Sequence, residues 1–284
     1  MSAALLTHRL LRAWPLPDPE QAQGKEERGR VLVVGGSRRI PGAALLAAEA
    51  TLRAGAGKLQ VATATSVAMA VAVAMPEAKV MALREDARGE PLSTAGEVVE
   101  AAGKVDALVV GPGLLAGTQT ARLVRALLAA NPPVAVCDAG ALAAALDGRR
   151  TTSARVVTPH AGEMASLLGV PRAKVEAEPA THAAALAHES GTVVVLKGAT
   201  TWLAAPDGRQ WVNRGGSVGL GTSGSGDVLS GIIGGLAARG ATPEQAAAWG
   251  VWLHARAGAR LSRHYGAVGF LAREIAGAVP DLMR

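Results

Sequence analysis

Aromatic side chains are scarce in this chain: one Phe, one Tyr and five Trp among 284 residues, 2% of the total. A core so poor in rings has to be assembled from Ala, Val and Leu, which fill space only if helices and strands approach closely. The same scarcity argues against nucleic acid as a partner, because bases bind to aromatic platforms and clustered cationic faces. The net charge is +6, but the Lys and Arg residues are scattered, which suits small anionic ligands. A single cysteine, Cys137, lies in the apolar run "PVAVCDAG". It excludes an intramolecular disulfide and fits a reducing compartment. Long hydrophobic runs are missing too: "VAMAVAVAM", Val67 to Met75, falls well short of a bilayer span. His and Arg interrupt the apolar residues at the N-terminus, so no secretory leader is expected. A cytoplasmic protein without membrane attachment is the expectation.

What the sequence does contain is a large supply of small apolar residues. Hydrophobic residues make up 49% and charged residues 18%, enough to bury a sizeable core. Residues 1–29, with "PLPDPE" and "GKEERG", read as an irregular N-terminal arm. With no linker and no internal repeat after it, residues 1–284 are expected to form one domain. From Val31 onward, short β-branched runs ("RVLVV", "KLQVA", "KVMAL", "ALVVG", "VAVCD", "ARVVT", "TVVVLK") alternate with Ala/Leu-rich helical stretches such as Gly42–Arg53 and Thr118–Ala130. Continuous apolar strands with helical crossovers indicate an α/β fold whose mainly parallel sheet is covered on both faces. Ligands in such folds gather at the C-terminal ends of strands. Beyond "TVVVLK", the segments "TWLAA" and "QWVN" around Asp207-Gly208 predict a small C-terminal β-hairpin.

The stretch "GLGTSGSGDVLSG", Gly219 to Gly231, raises the central chemical question. Glycines let backbone approach a ligand closely, and a glycine loop feeding a helix offers unpaired N–H groups to a phosphate. The predicted helix begins at Asp227, with large apolar residues on one face and Gly231, Gly234 and Gly235 on the other. Asp227 could simply cap that helix. However, a cap needs one residue and not a glycine run, and an acid beside a phosphate seat is repulsive unless it holds Mg²⁺ or takes a proton. General base is the preferred role.

The segment "GTSGSGDVLSGIIGGL" resembles the GTGD-type anion hole of the ribokinase-like superfamily. The resemblance narrows to the ADP- or ATP-dependent NAD(P)H-hydrate dehydratases through an ordered series: "VVGGSRRIPGAALLAAEATLRAGAGKLQVAT", "VVGPGL", "CDAGAL", "VVTPHAGEMASLLG" and "VVVLKGATTWLAAPDGRQWVN". It covers residues 31 to about 265. It implies a three-layer α/β/α ribokinase-like fold and ADP-dependent (ATP in some members) dehydration of hydrated NADH or NADPH, with release of AMP and phosphate. Asp227 would be the base. Ala43, Gly113, His160 and Asp227 would contact the hydrated dinucleotide. Lys197, Gly198, Ala199, Thr200, Thr201 and Gly226 would hold the nucleotide. Gly224, Ser225 and Gly226 would form the anion hole, and Glu163 would help to place Mg²⁺. The resemblance also implies a homotetramer and an NAD(P)H-hydrate epimerase on a separate chain.

Several positions depart from the family pattern: Ser225 for Thr, Ser223 for Gly, Gly221 for Ala, Ser217 for Asn and Ala161 for Pro. None removes a charge or donor on which these roles rest. Simpler readings stand beside each role: turn chemistry for Gly113, a structural hydrogen bond for His160, a solvated strand end for Lys197, and a first-turn acid for Glu163. A vitamin-precursor kinase of the same superfamily would use the same Asp and anion hole. A non-catalytic nucleotide sensor would have no use for Asp227.

Overall fold

The computed structural model describes residues 3–22, 24–92, 96–147 and 153–283. Ten strands form one sheet: β1 Ala4–Leu5, β2 Arg30–Val34, β3 Lys58–Ala64, β4 Ala78–Leu83, β5 Ala107–Val110, β6 Val134–Cys137, β7 Ala154–Val157, β8 Val193–Leu196, β9 Thr201–Ala204 and β10 Gln210–Asn213. Their order across the sheet is β1-β10-β9-β8-β7-β6-β5-β2-β3-β4. Only β9 runs antiparallel to its neighbours. The expected hairpin forms, with β9 and β10 pairing antiparallel around Asp207-Gly208, and it is continuous with the central sheet. Its first strand pairs directly with β8, and the two strands widen the central sheet. The tight Gly198–Thr200 connection makes this possible, because it leaves no length for a helical crossover.

The helices are α1 His8–Arg12, α2 Pro41–Arg53, α3 Thr65–Ala74, α4 Gly96–Ala102, α5 Thr118–Ala129, α6 Leu142–Ala145, α7 Ala161–Leu168, α8 Arg172–Ala177, α9 Pro179–Ser190, α10 Ser225–Ala238, α11 Pro243–Tyr265 and α12 Ala272–Leu282. Strand residues alternate between two cores. Val31 and Val33 join residues of α2, α10, α11 and α12, whereas Leu32 and Val34 join residues of α4, α5, α6, α7 and α9. The result is a three-layer α/β/α arrangement.

The N-terminal arm is more ordered than its polar sequence suggests. β1 pairs in parallel with β10, and Thr7 caps α1 through its hydroxyl. Trp249 Nε1 donates to the Trp14 carbonyl at 2.9 Å, and Gln245 Nε2 donates to that of Pro15 at 2.6 Å. Trp14 also stacks on Trp211 with centroids 5.7 Å apart. The arm's backbone thus satisfies polar groups of α11 while its indole covers the sheet edge.

The sheet reverses its order between β2 and β5, opening a crevice at their C-terminal ends. The loops there are tied together: Gly36 N donates to the Pro112 carbonyl at 2.8 Å and Ser37 N to that of Gly113 at 3.2 Å. Below them, α2 and α10 pack with almost no space between them. A Cβ on Gly231 would lie 2.2 Å from the Ala47 carbonyl oxygen, and one on Gly235 would lie 2.4 Å from that of Thr51. Contacts 231–47 and 235–51 advance in step, so the helices run parallel with their N-termini side by side. Gly234 departs from the expected shared glycine face. It turns to the sheet, where its Cβ would fall 2.2 Å from Val109 Cγ2. Residues 231 and 235 are one turn apart and 234 is offset from that line, so α10 approaches two neighbours closely.

Gly235→Ala should therefore lower stability by about 1–3 kcal/mol, the usual cost of overpacking. Gly277→Ala, in α12 where a Cβ meets nothing within 4 Å, should raise it by about 0.5–1 kcal/mol through helix propensity. Urea melts of the two variants check both signs.

Candidate active site

α10 begins one turn into the glycine loop, at Ser225 and not at Asp227. Its N-cap is Gly224, held at φ 88°, and no side chain caps the helix. A Cβ there would collide with Leu46 Cδ1 at 2.4 Å, so the position requires glycine for conformation and space alike. Ser225 N donates to the Thr222 carbonyl at 3.3 Å, and Val228 N donates to that of Gly224 at 3.1 Å. Between them, the N–H groups of Gly226 and Asp227 have no hydrogen-bond partner among the described residues. Two unpaired donors at a helix N-terminus form a seat for an anion. Asp227 is the third residue of the helix, so the capping reading does not hold.

Lys197 follows β8, and its Nζ donates to Asp138 Oδ1 at 2.8 Å. Asp138, at the end of β6, is 3% exposed. Gly226 fits against this pair: a Cβ on it would be 3.2 Å from Lys197 Nζ and 3.6 Å from Asp138 Oδ2. The ion pair is thus held directly under the open helix end. The backbone around Asp138 is tightly constrained. Ala139 has φ 46°, and a Cβ on Gly111 would sit 1.8 Å from the Asp138 carbonyl oxygen.

The charges around Lys197 are unequal. Burial works to lower the pKa of its ammonium, but Asp138, Glu163 and Asp227 outweigh burial and raise it. Asp227 has no such compensation. Burial and then the Asp138 carboxylate push it up to about 7, against the opposing pull of Lys197. A carboxylate poised there exchanges protons near neutrality, as a general base must.

His160 and Glu163 hold a different local structure. His160 is the N-cap of α7, and its Nδ1 accepts from Gly162 N at 3.0 Å and Glu163 N at 3.1 Å. Glu163 Oε2 accepts from His160 N at 2.8 Å, which completes a capping box. The structural reading of these residues is therefore correct as far as it goes; His160 Nε2 lies 3.6 Å from Glu163 Oε2, and Glu163 Oε1 has no hydrogen-bond partner among the described residues. The α7 start is joined to β8 by Lys197 N donating to the Pro159 carbonyl at 2.8 Å.

Gly113, at φ 71°, packs against α2: a Cβ on it would meet the Ile40 carbonyl oxygen at 2.5 Å and Ala43 Cβ at 2.9 Å. Ala43 is 5% exposed, with its methyl packed toward Gly113. Gly198 and Ala199 are exposed, and Thr200 and Thr201 are half-buried, in the β8–β9 turn. The structure therefore brings Lys197, Gly226 and Asp227 together, and places Ala43 beside Gly113 at the switch point. Asp138 carries no assigned role in the sequence reading. Its signal was present, since "VAVCD" ends a core strand with an acid. His254 in α11, 3.0 Å from both Ser225 Oγ and the Ser225 carbonyl oxygen, had no signal within its Ala-rich run.

Among the described residues, no three His, Cys, Asp or Glu side chains are grouped to hold a metal. The donors present suit a Mg²⁺ ion held mostly by phosphate and water, with one carboxylate such as Glu163 supplementing them.

Residues 31–281 match the NAD(P)H-hydrate dehydratase family. The ADP-dependent (S)-NAD(P)H-hydrate dehydratase of Xanthomonas campestris is 52% identical over 280 residues, spanning 98% of this chain and 95% of that protein. A bifunctional NAD(P)H-hydrate repair enzyme of Moorella thermoacetica is 41% identical over 97% of this chain, which spans only 53% of that protein. Among solved structures, the ADP/ATP-dependent NAD(P)H-hydrate dehydratase of Bacillus subtilis, co-crystallised with ATP and Mg²⁺, superposes with a TM-score of 0.85. It is 31% identical and covers 99% of this chain and 98% of its own.

The raised pKa of Asp227 has a consequence for folding that is independent of catalysis. A carboxyl group whose folded pKa lies above its unfolded one stabilises the fold below the unfolded value, and that stability is lost as pH rises through about 7. Asp227→Asn, which does not ionise, should match the wild type near pH 4. By pH 8 it should be more stable, by on the order of 4 kcal/mol. Urea unfolding across that range measures the difference, and parallel curves would show that Asp227 ionises without cost.

Proposed function

Because the chain belongs to the NAD(P)H-hydrate dehydratase family, whose fold is ribokinase-like, we propose that it catalyses the ADP-dependent dehydration of hydrated NADH and NADPH. It is a hydro-lyase with ADP or ATP as co-substrate and Mg²⁺ as cofactor. One observation carries the assignment of chemistry to residues: an acid of pKa about 7 beside two unpaired N–H groups at a glycine-capped helix start.

Asp227 takes the proton of the ring C6 hydroxyl as that oxygen attacks the terminal phosphoryl group of ADP. AMP departs, and the new phosphate ester then eliminates, phosphate leaving C6 and a proton leaving C5 to solvent, which restores the ring double bond. The original hydroxyl oxygen leaves within inorganic phosphate. The N–H groups of Gly226 and Asp227, with Gly224 and Ser225 shaping the turn, seat the phosphoryl group, where positioning and electrostatics supply most of the acceleration. Lys197, still charged because of its carboxylate neighbours, adds a cation on the nucleotide side, and the Gly198–Thr201 turn holds the nucleotide. Ala43, Gly113 and His160 Nε2 line the dinucleotide side. Mg²⁺ supplies charge neutralisation on the nucleotide phosphates when bound, and Glu163 Oε1 is the side-chain donor offered to it.

We read residues 1–284 as one catalytic domain acting in the cytoplasm. No helix among the described residues is long and apolar enough to cross a membrane. The protein works as a homotetramer alongside a separate NAD(P)H-hydrate epimerase. Support for assembly comes from α3, which leaves Met69 77% and Val73 76% exposed one turn apart.

Asp227→Asn should lower kcat for hydrated NADH by roughly 10² to 10⁴, the span for losing a general base, while ADP still binds. Restored NADH absorbance and calorimetry on the same preparation check this. Turnover within a few-fold of wild type removes the base role.

His160→Asn keeps a capping acceptor but loses Nε2, so it should raise KM for the hydrated dinucleotide and leave kcat and Tm nearly unchanged. A drop confined to kcat contradicts the binding role.

Light scattering should give a tetramer, and Met69→Lys with Val73→Lys a smaller species. A wild-type monomer at micromolar concentration refutes assembly.

A further inference from the structure

α10 has no side-chain cap, yet its first turn has to hold a fixed shape if its free N–H groups are to meet a phosphate. Glycine on both sides of Ser225 supplies no stiffness. The constraint comes from 29 residues further along the chain. His254 projects from α11, which packs so closely on α10 that a Cβ on Gly250 would lie 2.6 Å from Ile233 Cγ1. Its Nε2 is 3.0 Å from the Ser225 carbonyl oxygen and 3.0 Å from Ser225 Oγ. A carbonyl oxygen only accepts, so a bare ring nitrogen facing it would set lone pair against lone pair. Nε2 therefore carries the proton and donates it to Ser225.

We infer that His254 is a positioning residue, a neutral imidazole whose Nε2–H clamps Ser225 from behind and so fixes the direction in which the Gly226 and Asp227 N–H groups point. The inference rests on the reading of the α10 N-terminus as the phosphate seat. His254 touches no substrate in this arrangement and acts only through Ser225. Its surroundings keep it neutral. Burial lowers its pKa to about 4, the bond to the Ser225 carbonyl works to raise it, and the nearby Lys197 charge lowers it further. A charged imidazolium here would add a second cation beneath the seat. The neutral ring provides rigidity and leaves the charge balance of Lys197 and the carboxylates undisturbed. The small side chain at position 225 matters for the same reason: Ser offers a second acceptor to the same N–H, so the clamp grips both main chain and side chain.

The test is ADP binding by titration calorimetry on wild type, His254→Leu and His254→Gln, with urea melts of each. Leucine removes the donor, whereas the glutamine amide reaches the position of Nε2. His254→Leu should weaken ADP binding about tenfold, the size of one lost buried hydrogen bond, and leave NADH affinity within about twofold. His254→Gln should restore ADP affinity to within about threefold of wild type. If the leucine variant fails to fold, His254→Asn replaces it, since that amide is one bond too short and should bind ADP as weakly. ADP affinity within twofold of wild type in the leucine or asparagine variant overturns the inference, whatever the change in Tm. So does a glutamine variant that binds as weakly as they do. Because binding is the readout, the outcomes separate. A wild type that binds ADP in this order but does not convert hydrated NADH sinks the functional reading and leaves the clamp standing.

Discussion

One ammonium group serves three carboxylates, and the chemistry of the site follows from how unevenly it does so. Lys197 is bonded to Asp138 at 2.8 Å and only feels Glu163 and Asp227 at longer range. Asp138 is thereby matched and Asp227 is left short, buried beside a like charge. A stronger partner for Asp227 would have kept it ionised and weakly basic. Removing Asp138 would free the lysine to neutralise Asp227 directly. The fold enforces the inequality by ending β6 and β8 in the two members of the pair and placing Asp227 on a helix that arrives from the layer above.

Much of this was legible in the chain. The seven core strands were readable because each is a short apolar run, several of them ending in a chemically distinctive residue, and the glycine loop stood out because capping alone does not need it. The strand-end rule also brought Lys197, Gly113 and His160 to one edge of the sheet. Other features were hidden for physical reasons. His254 stands in a helix of alanines, and only the close approach of α11 to α10 gives its ring a partner. The start of α10 moved from Asp227 to Ser225 because Gly224 adopts a positive φ, a choice that glycine leaves open in the sequence. The hairpin was legible because its turn is a strong local signal. Its pairing with β8 depends on contacts that no local pattern encodes.

The capping box on α7 shows how structural and functional readings coexist. His160 uses Nδ1 to finish a helix and Glu163 uses Oε2 to complete the exchange, which leaves His160 Nε2 and Glu163 Oε1 outside the capping hydrogen bonds. The locked ends orient the free ones. Two side chains that are half committed to the scaffold lose little freedom when a ligand arrives, which lowers the cost of ordering them.

The seam between α2 and α10 also acts as a gauge. The loop before α2 leads to Ala43, and the loop before α10 ends at the glycine-capped helix start with its two unpaired N–H groups. At Gly231 and Gly235 the two helices meet almost backbone to backbone, with only the Ala50 and Ala54 methyls beside the contact. A hydroxyl and a phosphoryl group have to come within about 3–3.5 Å to react, and on the proposed reading of the site this contact would set that spacing in advance. Such a gauge has almost no tolerance, since even a methyl group would open it. On the proposed reading, any widening of substrate range would fall to the surrounding loops, at Arg38 to Ile40 and Gly198 to Thr200, and not to the two helices between them.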